Sequence, residues 1–354
     1  MSAEPHAEVI PDFRTSARNK HAICWTVATL RILPSLFPCI FILAASIGSI
    51  QILYAAVALH WVIIGTENAI GRPLSKVATA SLLSRSTLFE DVCLLFWPFL
   101  HLAALVAAFC LIIDIQPTAR QIFAIGAIFG YSINIFSAAA GHEMMHRQNG
   151  PARIFSAALY AAMLYPHFPL VHLASHHRLA GSTKDCQTPQ PGQTIHSYLY
   201  QALCGGFRCL WHPEAATLDM HLRSRLLGST FGLALLSLVG SWRILMFLLV
   251  QGVFSFIVIE TLNYVQHYKQ TAPWADSDSD LQLANQDLNF ISRAILFNLP
   301  LHASHHKDQD IHCANLAPVL NAPSYCWGYW TSFWLAWIPP LWNYLHQREA
   351  ESSS

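Results

Sequence analysis

Charge is what this chain has least of. Only 11% of its 354 residues are Asp, Glu, Lys or Arg, against about 25% in an average globular domain, while 54% are hydrophobic. So little charge means a membrane protein or an unusually apolar interior. The charges cancel to a formal net of zero, so a nucleic-acid binder's basic footprint is missing. Paired cysteines are missing too. The nine stand scattered at 24, 39, 93, 110, 186, 204, 209, 313 and 326, with no CxxC, and read as free thiols rather than a disulfide framework. No dinucleotide-binding glycine pattern, haem attachment motif or internal repeat is found. Residues 1–20 carry Glu4, Glu8, Asp12, Arg14, Arg18 and Lys20 and no apolar run, which excludes a signal peptide there.

The uncharged runs are long. Ile32 to Thr66 holds no charged residue. A membrane-crossing helix needs about 20 mostly apolar residues, so this run makes two spans, 32–48 and 50–66, turning at Gly48-Ser49. Further spans are expected at 92–113, 121–141, 226–242 and 244–259. Six spans put both termini on one side. With that side in the cytoplasm, only Arg120 and Arg243 of the 20 basic residues fall outside, as the positive-inside rule asks. The expected fold is an all-α integral membrane protein with six transmembrane helices and a cytoplasmic, histidine-rich cap. It forms one domain over 31–345 between polar tails at 1–30 and 346–354. The apolar stretch 154–171 contains Pro166 and Pro169 and reads as re-entrant or interfacial. Segments 182–193 and 271–280 read as loops. Trp327, Trp330, Trp334, Trp337 and Trp342 suggest an interfacial segment, ended by IPPLW (338–342).

Histidine is the residue in excess, at 19. His142 and His146 are spaced i, i+4 at the end of the fourth span. His172, His176 and His177 follow at i, i+4, i+5. His267 comes directly after the sixth span, and His302, His305 and His306 are spaced i, i+3, i+4. All fall on the cytoplasmic side of a topology drawn without using histidines. Helical spacing of this kind aims several nitrogens at one point. Nine imidazoles exceed the roughly four to six ligands of one ion and suit two. Imidazole alone does not choose among zinc, copper, iron and nickel. The remaining histidines read more plainly. His6, His21, His196, His212, His221 and His346 are ordinary surface or core residues. His60 and His101, inside spans, are read as hydrogen-bonding between helices. His167 and His312 flank the clusters without a role assigned. The small residues of the fourth span (Ala124, Gly126, Ala127, Gly130, Ala138 to Gly141) leave room for an alkyl chain or for close helix packing.

With these motifs in hand, the chain resembles the alkane 1-monooxygenase and xylene monooxygenase branch of the membrane fatty-acid desaturase-hydroxylase superfamily. The matching residues are HEMMHR (142–147), HLASHH with STKD (172–177, 182–185), ETLNYVQHY (260–268), LHASHH (301–306) and the IPPLW. The third box departs from the alkane enzymes, with Gln266 where Glu is usual, as is sooner expected of aromatic-methyl hydroxylases, and Lys269 where Gly is usual.

The resemblance implies two non-haem irons held by the nine histidines and O2 as co-substrate. It implies hydroxylation of an unactivated C–H bond, with electrons from a separate rubredoxin or ferredoxin. It also implies a multi-pass protein of a bacterial inner membrane, its site facing the cytoplasm and its apolar substrate arriving from lipid. Glu143, Asp185, Glu260, Asn263 and Tyr268 are then candidates to orient ligand rings. A desaturase, or a decarboxylase forming a terminal alkene, would use nearly the same site. An intramembrane zinc protease with Glu143 as general base needs only HEMMH and leaves the other boxes unexplained. A metal or haem transporter would want ionisable residues deep in several spans, where only His60 and His101 occur.

Overall fold

The structure, a computed structural model of the chain, describes residues 28–70, 87–211, 241–268, 284–319, 322–325 and 327–353, with positions 26, 228 and 232. Among the described residues it is helical, without strands; one isolated bridge pairs Gln286 with Ser324. The helices are α1 (Leu36–Ile47), α2 (Tyr54–Ile70), α3 (Thr87–Ile115), α4 (Ala119–Ser132), α5 (Asn134–Met145), α6 (Gly150–Ala162) and α7 (Phe168–Val171). A π-helical turn (His172–His176) leads into α8 (His177–Leu179). There follow α9 (Ile195–Trp211), α10 (Trp242–His267), α11 (Phe290–Ile295), α12 (His302–Lys307), α13 (Tyr329–Leu335) and α14 (Pro339–Ser353).

Among the described residues, five helical segments are long and apolar enough to cross a membrane: Ala28–Ile47, Ile50–Ala69, Thr87–Ile115, Ala119–Met145 and Trp242–His267. Four match expected spans in place, with longer bounds. The last replaces the expected 244–259 and runs on to carry His267. The expected fifth span, 226–242, and the loop 271–280 fall outside the described residues apart from isolated positions. The polar tail expected at 346–354 is helical through Ser353 as the end of α14. Pro339 opens that helix, where its missing N–H costs nothing, so IPPLW starts an element as well as ending one.

The first hairpin turns as the residues dictate. Gly48 adopts φ 68°, a left-handed conformation that favours glycine. The Gly48 N–H reaches Ala45 O at 3.2 Å and the Ser49 N–H reaches Ala44 O at 3.0 Å, the paired bonds of a Schellman stop. Thr118 and Gln121 form a capping box at the start of α4. The α4–α5 segment is the buried axis. Its most apolar window is 78% buried, against 33% to 50% in the other four spans.

Close packing takes up the small residues of that axis. A Cβ on Gly130 would lie 2.6 Å from Phe254 Cβ and 2.8 Å from Gln251 O of α10. Polar side chains tie the same helices. Asn134 donates to Gln251 Oε1 at 2.6 Å, and Trp97 Nε1 donates to Ser137 Oγ at 2.9 Å. His101 Nδ1 lies 2.7 Å from the same hydroxyl, the interhelical bond expected of it. His60 instead sits in a ring cluster of Phe37, Tyr131, Phe136 and Trp330.

Because α10 meets α4 at backbone distance, Gly130→Val forces the helices apart. Overpacking of this kind costs about 1–3 kcal/mol. Thermal unfolding of the purified protein in detergent is expected to show a lowered Tm, while Gly65→Val, where nothing lies within 4 Å, leaves it near wild type.

Candidate metal centre

The nine histidines converge at the ends of these helices, in two groups. His142, His146, His172, His177 and His305 form one, and His176, His267, His302 and His306 the other. Within each group the candidate ligand atoms all lie within 4.8 Å of one another. His142 and His172 meet Nε2 to Nε2 at 3.0 Å, His172 and His177 at 2.9 Å, and His177 and His305 at 3.2 Å. In the second group His302 lies 3.1 Å from His267 and 3.1 Å from His306. Imidazole nitrogens about 2.0–2.1 Å from one ion, at right angles, stand about 3 Å apart. The separations are those of ligands sharing an ion.

Local structure decides which ring goes where. On an α-helix, residues i and i+5 lie about 140° apart around the axis. His172 and His177 therefore could not share a target on an ordinary helix. The π turn widens the coil, and the His177 N–H bonds to His172 O, which brings these two rings to one side. His176 is left facing the other group. On α12, His302 and His306 are four apart and turn one way, while His305 turns the other. α12 thus stands between the two groups and supplies both.

Burial first, then the repulsion of neighbouring imidazoles, holds His172, His302, His305 and His306 well below the usual histidine range. Burial, with His176 and Arg153 nearby, takes His146 down to about 3. His177 is lowered for the same reasons. Neutral imidazole is the metal-binding form. His146 Nε2 and His176 Nε2 are buried without a hydrogen-bond partner, a costly state for a polar atom that a cation between the rings relieves. The donor set fits a metal ion in each group.

Of the five carboxylate and polar residues expected to orient rings, the structure brings one to a ligand. Asp185 Oδ2 lies 2.7 Å from His176 Nδ1. The same carboxylate accepts from Thr188 Oγ1 at 2.6 Å and from the Gln187 N–H at 3.0 Å. Burial alone would raise its pKa; His176 and these donors outweigh that and lower it. The contact makes Nδ1 the protonated nitrogen and turns Nε2 toward the group.

The other four reach different partners. Glu143 pairs with Arg147 at 2.9 Å and accepts from the Cys313 N–H at 3.0 Å. Glu260 accepts from Tyr165 OH at 2.6 Å and Tyr198 OH at 2.8 Å. Asn263 donates to Glu260 at 3.3 Å, and Tyr268 donates to Asn343 at 2.7 Å. Glu143 adjoins His142 in sequence, but a helix turns adjacent residues about 100° apart.

Sequence reasoning left His312 without a role and did not reach Tyr165, Gln187, Thr188 or Tyr198. Nothing in spacing marks them, because they come from separate segments. Glu143, His312 and Cys313 also cluster. Both His312 nitrogens are engaged, however, Nε2 at 3.0 Å from Asp91 and Nδ1 accepting from the Ala314 N–H at 2.9 Å.

A helical membrane protein whose spans gather nine histidines into two potential metal groups is thereby defined. The chain belongs to the fatty acid desaturase family, whose model matches residues 118–333. Among curated proteins it is 28% identical over 244 residues to alkane 1-monooxygenase 2 of Pseudomonas aeruginosa, covering 63% of this chain and 62% of that one. It is 25% identical over 230 residues to alkane 1-monooxygenase of Pseudomonas putida, covering 61% and 56%. It is 28% identical over 215 residues to the xylene/toluene monooxygenase hydroxylase component XylM of Pseudomonas putida, covering 57% and 57%. These relatives place it on the alkane and xylene monooxygenase branch. The chain spans about three fifths of the length of the curated relatives it matches.

Two outcomes are expected of this centre. Asp185→Asn keeps the shape but removes the charge that fixes His176; removal of metal by a chelator should become about 10–100-fold easier. Acid should release metal from the wild type. Below the ordinary histidine value of 6.5, an unfolded chain takes up a proton that the folded His146 refuses. Stability present above that value is lost as pH falls toward about 3. Metal content after dialysis at stepped pH checks the direction.

Proposed function

We propose that the protein is an O2-dependent, non-haem di-iron monooxygenase that hydroxylates an unactivated C–H bond. Its most fitting substrate is the terminal methyl of an alkane or alkyl chain. One observation carries the reading: five and four imidazoles grouped within 4.8 Å in each set, on a chain whose relatives are alkane and xylene monooxygenases. His142, His146, His172, His177 and His305 would hold one iron; His176, His267, His302 and His306 would hold the other. Bound iron would supply O2 activation and the oxidising power for C–H cleavage.

The chain's own residues do the rest. Asp185 orients His176 through Nδ1. Arg147 neutralises Glu143 and keeps that carboxylate engaged away from the rings. A small cavity touches His142, Glu143 and His305 and is otherwise walled by Ala139, Phe297, Leu299 and Leu316. Its apolar walls suit a methyl group and exclude water from the reacting position. Six spans with the site facing the cytoplasm of a bacterial inner membrane complete the arrangement. Apolar substrate arrives from lipid, and a separate rubredoxin or ferredoxin with its reductase delivers electrons.

A desaturase or alkene-forming decarboxylase is the nearest other reading, since it would share the metal centre. The intramembrane protease is disfavoured by a specific contact: Glu143 is held by Arg147 and the Cys313 N–H and is not placed as a general base.

Membranes containing the protein, given octane, xylene or lauric acid with an electron donor and O2, are expected to yield alcohol from octane or xylene. About two irons per chain should accompany the activity, and His305→Ala should abolish it. Terminal alkene from lauric acid without alcohol from octane or xylene would overturn the hydroxylase reading, and one zinc without iron would overturn the di-iron one.

A further inference from the structure

The turn that carries Asp185 is docked along one face of α9. Tyr198 OH donates to Gln187 O at 3.1 Å. Gln201 Nε2 donates to Cys186 O at 3.3 Å and Thr188 O at 3.0 Å. One turn further on, Gly205 lies against Cys186 so closely that a Cβ there would fall 2.2 Å from Cys186 Cβ and 3.1 Å from its Sγ. One turn beyond that comes Cys209, whose thiol is the largest influence on the Cys186 thiol. Positions 198, 201, 205 and 209 form one stripe of a helix. The stripe grips the turn by two side chains, makes room for it at a glycine and ends on a second sulfur. Both cysteines are free thiols and neither is fully buried.

We propose that Cys186 and Cys209 form a reversible disulfide, a peroxide-sensitive modification site whose closure weakens the metal centre through the neighbouring Asp185. Two thiol sulfurs must approach to about 2.05 Å to bond. Cys186 already lies against Gly205 without clearance, so closure turns residue 186 along α9 toward Cys209, and Asp185 is joined to it by one peptide. Asp185 is also the residue that orients His176, through a 2.7 Å contact, so the displacement is felt at a ligand.

The oxidant is hydrogen peroxide, the two-electron reduction product of O2. The Cys209 sulfur attacks one peroxide oxygen, an S–O bond forms, the O–O bond breaks and water leaves. The Cys186 sulfur then displaces the hydroxyl from the sulfenic acid, an S–S bond forms and a second water leaves. The two sulfurs lose two electrons, the peroxide gains two, and both thiol protons end in the waters. The Cys209 contact and burial push the Cys186 thiol up, which makes it the resolving partner rather than the first to react. Disulfides in reducing compartments are mostly transient and redox-sensing, and a thiol or thioredoxin-type reductant reverses this one.

The thiol pair stands independently of the oxygenase reading; only its effect on the metal rests on that reading. The test uses the full chain, metal-loaded, in detergent. It is treated with hydrogen peroxide, its remaining thiols are alkylated, and it is digested for mass spectrometry with and without a thiol reductant. A cross-linked peptide pair joining Cys186 to Cys209 is expected and should vanish on reduction. In parallel, the rate at which a chelator removes metal should rise about 10-fold on oxidation, the lower end for losing a ligand's supporting partner. It should return on reduction, and Cys209→Ser should show neither change. Both cysteines staying alkylatable while other thiols oxidise would overturn the proposal. So would a disulfide that forms with the chelator rate unchanged. A zinc-containing or inactive protein would sink the oxygenase reading and still leave the cross-link to be read.

Discussion

Nine imidazoles, seven of them buried and His177 and His306 half-buried, stand with several of their nitrogens within about 3 Å of one another, and the rest of the molecule is arranged around that constraint. Crowded lone pairs in a dry site are unfavourable unless a cation sits among them. His172, His302 and His306 do not escape the crowding by protonation, because burial and the repulsion of neighbouring imidazoles hold their pKa values low. They can only be held in place. Their supports are long, rigid and apolar: α5 ends the buried axis of the bundle, and α10 runs to His267 at its last residue.

Polar groups elsewhere in the apolar interior follow the same logic on a smaller scale. Arg31 and Glu90 are both buried and meet at 2.8 Å, tying the start of the first span to the third. The Arg31 guanidinium also lies 4.5 Å from the Phe297 ring. Removing one member of such a pair leaves an uncompensated charge at a cost of about 3–5 kcal/mol. Glu260 is satisfied by two phenols, an asparagine and a glutamine. In each case the buried charge joins segments distant in sequence. The shape of the cap is set by these bonds as well as by apolar packing.

Membership of the fatty acid desaturase family and likeness to alkane and xylene monooxygenases agree with what the rings can do. Sequence similarity at about a quarter identity does not select a substrate. The walls that meet the histidines, Ala139, Phe297, Leu299 and Leu316, come from three separate segments. The lining of that cavity is therefore a property of their assembly more than of any one motif.

The sequence by itself determined the class of the protein. Runs such as Ile32 to Thr66 cannot be soluble surface, and the first hairpin turns at Gly48 as read, because a left-handed helix stop favours glycine. Histidine spacing named the nine rings the structure gathers, since i, i+3 and i+4 are local geometry. What only the tertiary structure decided is how those rings divide and what supports them. His172 and His177 share a group through a π turn that no residue in HLASHH announces. Asp185 meets His176 while Glu143, Glu260, Asn263 and Tyr268 turn elsewhere. Apart from Arg147, one turn beyond Glu143 on the same face, the partners that capture these side chains (Cys313, Tyr165, Tyr198, Asn343) lie on other segments. Only folding, by bringing distant hydrogen-bond donors to buried acceptors, could choose between them.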